Sequence, residues 1–341
     1  MVLMGIALGY DDEGVHTPGD QVNWNESRYV DVWDPVRRVG GWFRIGARPN
    51  ARYAEMSACV FLADGRVAFA FDRAEIDGNG LVAGGHRGRQ SWDIVEPWRT
   101  TRVGFTGAMS VFGDPWVLTN PKEAFRNSPQ VNAEIDLVCT TEGLTAVMGQ
   151  DQDQHHLVFL PGQADFHYQH MARVVGTIRL GEETFEVDGR GGKDHSWGPR
   201  NWHAKIYLRW LTCCIDDDNG FMLTRSVGPT AERRSGFVWA DREFRVVDGF
   251  DMVNQYAGAP WYELLRTEVT VRAGDVEWTA TGVPQSRLPL RHVQADGEGR
   301  EAVLRIVKQP AEWTFADGRT ATGHLEYHDL VEDGVPVGLH E

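Results

Sequence analysis

The chain has 341 residues, 42% hydrophobic and 24% charged, enough to bury a sizeable core in one or two domains and unlike a disordered chain. Its 49 acidic residues outnumber 34 basic ones, for a formal charge of -15. That balance argues against a nucleic-acid partner, whose binding needs Lys and Arg to displace counterions from phosphates, and against anionic membranes.

Met1 to Tyr10 is apolar but lacks a basic flank or a cleavage site, and Asp11, Asp12 and Glu13 follow it. No apolar run approaches the ~18 residues of a membrane span. A cytoplasmic protein without a signal peptide or an integral membrane segment is therefore expected. Cys59, Cys139, Cys213 and Cys214 form no Cys-x-x-Cys pair and read as reduced, buried or half-buried thiols.

Strand signals dominate from there on. Tyr53 to Leu62 runs into the hairpin turn Asp64-Gly65, and Arg66 to Phe71 returns. Strands follow over residues 103–112, 134–140 and 166–180. A short helix is expected over Pro121 to Arg126, with Asn120 as N-cap and Pro121 in the first turn. Residues 184–187 read as a strand ending in an Asp188-Gly189 turn. Further strands are expected over 206–215, 221–226, 237–240, 243–247, 265–271, 276–280, 302–307, 313–315 and 322–327. So many strands at short spacing predict an all-β protein of two tandem barrels or sandwiches meeting near residues 180–195. We place the domains at 1–188 and 189–341.

Several chemistries lack their motifs. There is no P-loop, no nucleophile elbow, and no helix after Gly189-Arg190-Gly191-Gly192 to complete a dinucleotide fingerprint. No cofactor is expected. His155-His156 and His167-x-x-His170 are the only metal-like spacings, and on a strand the second pair points to opposite faces, so no metal is expected either.

Chemically able groups concentrate between Asp188 and Trp210. Lys193, Asp194, His195, Arg200 and His203 lie there among Trp197, Trp202, Tyr207 and Trp210, and the glycines at 189, 191, 192 and 198 with Pro199 suggest a loop. A carboxylate beside an imidazole sets its tautomer, a histidine titrating near neutrality moves protons, and indole walls exclude water. Together they suit proton-driven chemistry on an apolar substrate: hydration, dehydration, isomerisation or ring closure. The competing reading is a tryptophan plug with an Asp194–Arg200 pair closing a turn.

The Gly-rich approach to Asp194-His195-Ser196-Trp197-Gly198 resembles the His-x-Trp-Gly signature of the carotenoid 1,2-hydratase (hydroxyneurosporene synthase) and AttH-like superfamily. Asn25 to Tyr29, Gly41 to Asn50, Ala63 to Phe69 and Gly323 to Tyr327 are similar to an uncharacterised bacterial branch of it. The resemblance implies tandem lipocalin-like barrels with a ligand cavity in or between them, and activities that include hydratases and cyclases. It implies catalytic His195 and substrate-facing Trp197. The Tyr and Asp that carotenoid hydratases use on a later strand have no counterpart near Phe221 to Arg225, so other carboxylates come into view.

Asp194 is the first candidate acid, then Glu55, then Glu326, which shares strand parity with His324 and His328. Arg48 and Arg44 are candidates for a substrate carboxylate or phenolate, and Trp197, Arg200, Trp202, Tyr207 and Trp210 complete the expected binding set. The sequence thus predicts an acid–base enzyme without redox cofactor, a lyase or isomerase acting on a terpenoid, steroid-like or aromatic molecule. The alternative is a non-catalytic lipocalin-like carrier of the same kind of ligand, and a homo-oligomer is left open.

Overall fold

The computed structural model describes residues 10–76, 80–141, 147–148, 162–295 and 301–340. His155-His156 lies outside them. The described chain forms two antiparallel sheets, as the strand grammar predicts.

The first sheet contains β1 (Trp24–Asp34), β2 (Val39–Arg48), β3 (Tyr53–Phe61), β4 (Val67–Ile76), β5 (Val82–Gly85), β6 (Gly88–Glu96), β7 (Thr100–Phe112), β8 (Gln130–Thr140), β9 (Val147–Met148), β10 (Phe166–Leu180) and β11 (Glu183–Pro199). It closes into a barrel because β10 pairs with both β8 and β11, and β11 pairs with β1. Closure removes the exposed edges that a sheet of this size presents.

The second sheet contains β12 (Tyr207–Cys214), β13 (Gly220–Val227), β14 (Glu232–Ala240), β15 (Glu243–Val246), β16 (Gly249–Tyr256), β17 (Leu264–Ala273), β18 (Val276–Pro284), β19 (Leu288–Ala295), β20 (Glu301–Phe315), β21 (Thr320–Glu332) and β22 (Val335–Pro336). Its order is β15-β14-β13-β12-β21-β20-β18-β17-β16, with β19 on β20 and β22 on β21. The sheet curls around its own core of Leu223, Val271, Trp313 and Leu325.

The expected helix is α1 (Pro121–Asn127), with Pro121 in its first turn. Asn120 makes no side-chain cap to the backbone; its amide donates to Glu123 instead. Gly65 takes φ +87° in the predicted Asp64-Gly65 turn. Asp64 and Asp317 each accept a hydrogen bond from the backbone and the guanidinium of the arginine two residues on. No helix among the described residues is long and apolar enough to cross a membrane. All four cysteines are buried free thiols.

Two expectations are corrected. Asp188-Gly189 is not a turn and the segment from Gly189 to Pro199 is not a loop, because β11 runs unbroken from Glu183 to Pro199. Its glycines serve close strand approach: a Cβ on Gly191 would stand 2.0 Å from the Asp31 carbonyl oxygen, and one on Gly189 2.4 Å from that of Trp33. Only Gly198 needs positive φ, +120°. Gly191→Ala is therefore expected to force β1 and β11 apart at a cost of about 1–3 kcal/mol, read as a lowered urea midpoint. An unchanged midpoint would sink this account of the glycine run. The sheets change over in residues 200–206, beyond the 188/189 division expected from sequence, and we propose the domain boundary there.

The two sheets meet through a second core. Tyr29, Trp33, Trp42 and Phe69 on the outer face of the barrel pack with Trp210, Met222, Phe237 and Trp239 of the second sheet. Every residue of β1 is consequently buried, since one face fills the barrel and the other the junction. The candidate site lies at that junction.

Candidate functional site

Asp194 and His195 are sequence neighbours on β11, and the two-residue period of a strand sends them to opposite sides. His195 turns into the barrel. Its Nε2 lies 3.0 Å from Glu26 Oε1 and its Nδ1 3.2 Å from the Tyr168 hydroxyl. His16, from the segment before β1, shares the same Glu26 oxygen at 2.9 Å and stacks on Trp197 with ring centroids 3.8 Å apart. Glu13 enters the same end of the barrel to bond Lys193 and Tyr168. Burial, with Arg28 nearby, pushes His195 down to about 4. Burial works against ionisation of Glu26, but hydrogen bonds from His16 and His195 hold its carboxyl well below the usual range.

The ligand atoms of His16, Glu26 and His195 lie within 4.8 Å of one another. The Arg28 guanidinium stands 3.2 Å from the same Glu26 oxygen and supplies a cation there. We read the cluster as a hydrogen-bond network that closes the barrel end.

Asp194 turns the other way, toward the second sheet. Its imidazole partner is His167, not His195. Gln169 Nε2 lies 3.2 Å from His167 Nε2 and donates to Asp194 at 3.4 Å, and Trp210 Nε1 donates to Gln169 at 3.2 Å. His167 and Gln169 share a parity on β10, two residues apart, so they face the junction beside Asp194. His170, on the opposite face, stacks against Trp98.

A cavity of about 430 Å³ opens between the sheets and is lined by all of these junction groups. Its apolar wall includes Trp42, Phe69, Leu118, Phe125, Leu208 and Trp210. The second sheet contributes Glu326, and here the shared parity expected of β21 holds. Glu326 lies 2.5 Å from His328 Nε2 and 3.8 Å from His324 Nε2, and it also pairs with Lys308. Burial opposes its ionisation, yet Lys308 and the hydrogen bond from His328 hold its carboxyl well below the ordinary range. Burial and Lys205 push His328 down to about 3, so it is neutral. Burial first, then Asp31 and Glu326, raise the Tyr29 phenol well above its ordinary value.

The other sequence candidates divide between this cavity and its surroundings. Glu55, Arg200 and Trp202 line it, as does Arg44. Glu55 is ion-paired with Arg44 at 3.2 Å and Arg48 at 3.5 Å. Arg48 is buried behind that pair and does not reach the cavity. Tyr207 lies outside it, with the guanidiniums of Arg209 and Arg225 over its ring at 5.0 and 5.4 Å. Trp197 and His195 are inside the barrel, cut off from the cavity by β11 itself.

Sequence reasoning passed over Gln169, Tyr29, Lys205 and Lys308, and weighed His167 only as a metal ligand with His170. A usable signal existed for the lysines. The chain has only four, Lys122, Lys193, Lys205 and Lys308, and the last three are buried. Lysine is a residue that proteins keep at the surface unless it is paired or working.

The fold is shared with solved structures of low sequence identity. CghA in complex with Sch210972 matches at 11% identity with a TM-score of 0.59, over 92% of this chain and 93% of that one. An AttH-like protein of Nitrosomonas europaea matches at 15% and 0.60, over 96% and 98%. Kievitone hydratase from Nectria haematococca matches at 10% and 0.55, over 97% and 94%. These likenesses establish the tandem lipocalin-like, AttH-type architecture. No curated protein matches the chain by sequence. The model of a domain of unknown function, DUF7064, matches residues 9–331, and the chain belongs to that family.

Proposed function

We propose that the protein is an acid–base enzyme of the hydratase or cyclase type, acting on a hydrophobic small molecule held between the two sheets. The observation that carries this reading is the pair of carboxylate–histidine couples, Asp194–His167 from the first sheet and Glu326–His328 from the second, lining one largely apolar cavity. A carboxylate coupled to an imidazole beside an apolar substrate is placed to take up a proton and pass it on, and the apolar wall excludes water that would compete for it. The Tyr29 hydroxyl stays protonated and serves as a donor in the same cavity. Addition of water to a double bond, its removal, a double-bond shift and ring closure all need a proton given and a proton taken across one substrate. Kievitone hydratase, among the similar structures, is named for such a reaction.

In this reading Asp194 and Glu326 act on the substrate, Trp202 and Trp210 wall it, and Glu55 holds Arg44 and Arg48 in place. His195 and Trp197 support β11 from behind. The test begins with mass spectrometry of small molecules that co-purify with the protein, followed by incubation with the molecule found. Asp194→Asn and Glu326→Gln are expected to lower turnover at least about tenfold while leaving the dissociation constant within a factor of about three of wild type. His195→Gln is expected to act on stability more than on turnover. Wild-type turnover in both carboxamide variants would remove the acid–base assignment. Binding without turnover in the wild type would make the protein a carrier.

A further inference from the structure

One corner of the cavity carries more positive charge than its carboxylates answer. Three cations surround the Trp202 indole: Arg44 Cζ at 5.4 Å, Arg200 Cζ at 5.3 Å and Lys205 Nζ at 5.3 Å from the ring centroid. All four residues line the cavity. In a chain of net charge -15 this concentration runs against the overall composition.

The neighbouring carboxylates are already engaged. Glu55 holds Arg44 and Arg48, Asp194 holds His167, and Glu326 holds Lys308 and His328. Among the described residues the hydrogen-bond partners of Arg200 are neutral, the Gln163 carbonyl at 3.1 Å and Ser196 Oγ at 2.6 Å. Lys205 makes no hydrogen bond or ion pair among the described residues, although it is only 6% exposed. The other two buried lysines each have a carboxylate, Glu13 for Lys193 and Glu326 for Lys308. Arg44 Nη2 and Trp202 Nε1 are likewise buried donors without a partner. A Cβ on Gly46 would stand 2.4 Å from Arg44 Nη2, so the glycine leaves the guanidinium its place. Burial and Arg200 push Lys205 down to about 7, the response of an ammonium group short of a counter-ion.

We propose that this corner binds the anionic head of the substrate, so that the ligand of the cavity is an organic acid: a carboxylate on an apolar body. The inference rests on the cavity being the substrate site, and it names the substrate class. Arg200 and Lys205 supply charge-assisted hydrogen bonds, Arg44 and Trp202 the remaining donors, and the aromatic wall takes the apolar part. Charge complementarity at a desolvated site gives the acid its advantage over a neutral molecule of the same shape.

The test is titration calorimetry at pH 7 with two matched pairs, dodecanoate against dodecan-1-ol and 2-naphthylacetate against 2-(2-naphthyl)ethanol. In at least one pair the acid is expected to bind about tenfold tighter or more. Lys205→Gln is expected to remove most of that preference while changing the alcohol's affinity less than about twofold. This variant loses no hydrogen bond and should fold; Arg200→Gln, which also gives up the Gln163 and Ser196 contacts, is the second, checked for its melting temperature before use. Asp194→Asn is expected to keep the acid preference, so a failure of the catalytic reading and a failure of this one give different results. Equal affinity for acid and alcohol in both pairs, no binding of any probe, or an undiminished preference in Lys205→Gln would each overturn the proposal.

Discussion

Replacing Arg209 by methionine is expected to cost about 3–5 kcal/mol of stability, because it leaves a buried carboxylate without its cation. Arg209 is 0% exposed and Asp329 2%. Arg209 Nη2 donates to Asp329 Oδ1 at 2.8 Å and to the Gly338 carbonyl at 2.9 Å. Its Nη1 donates to the carbonyls of Leu208 and His328 at 3.0 and 2.9 Å, and its Cζ lies 4.6 Å from the Tyr327 ring centroid. One side chain thus ties β12, β21 and the C-terminal turn Val337–His340 together. Arg305, 3.8 Å from Asp329, is too distant to take over the geometry. The loss is read from urea unfolding at constant pH. Arg209→Met with Asp329→Leu removes both charges and is expected to be less destabilised than the two single changes added together. Strict additivity would mean that the pair is not coupled.

A second large effect is expected on acidification. Burial holds His170, His324 and His328 down to about 3, and His195 and His292 to about 4. Between those values and the ordinary histidine value of 6.5, the unfolded chain carries protons on these five groups that the folded chain refuses. Stability contributed by them is present above 6.5 and is lost as pH falls toward 4. Two groups oppose the trend. Asp31, raised by burial to about 7, binds a proton in the folded chain first, and so adds stability as pH falls from 7 to 3.8. His16 is raised despite its burial, by hydrogen bonds to Glu26 and Asp12, and its contribution is complete below 6.5. Near pH 5, where His16 is protonated in both states, the balance leaves a net uptake of about four protons on unfolding, or roughly 5 kcal/mol per pH unit in the steepest part of the window. Below about pH 4.5 the fall continues as Glu13, held at about 2 against its own burial by Lys193 and His170, gives up its charge. Urea midpoints measured from pH 7 to 5 check the sign; a flat profile would mean that the histidines are hydrated and titrate normally.

The acid-sensitive histidines lie on both sides of β11. His195 and His170 belong to the barrel end, and His324, His328 and His292 to the junction and the second sheet. Acid should therefore loosen both together, so tryptophan fluorescence and strand content are expected to change in one transition. Trp197 and Trp210 report on the two sides separately.

The amino-acid sequence by itself determined the class of the fold. Alternating residues and Asp-Gly turns specify hairpins locally, and β10 from Phe166 to Leu180 is legible with its observed ends. A short helix with proline in its first turn is legible for the same reason. Strand parity also placed Glu326 beside His324 and His328 before any tertiary contact was known. β1 and β2 were not legible as strands. Both are buried on two faces, so their polar residues do not alternate out to solvent, and Glu26 and Asp31 meet partners far along the chain, His195 and Gly192.

Only the tertiary structure decided what each residue of the Asp194–Arg200 segment faces. Density of chemically able groups singled out this stretch of chain, but its glycines read as loop formers when they are the gaps that let β1 and β11 close. Once the stretch is a strand, alternation separates Asp194 from His195 and divides the segment between the barrel end and the cavity. The partners that make the cavity chemical, His167, Lys205, Lys308 and His328, come from β10, β12's approach, β20 and β21. Their meeting depends on two closed or curled sheets packing outer face to outer face, a long-range event that leaves no local pattern. Asp194 lines the cavity between the sheets, and the histidine beside it in sequence faces the barrel end.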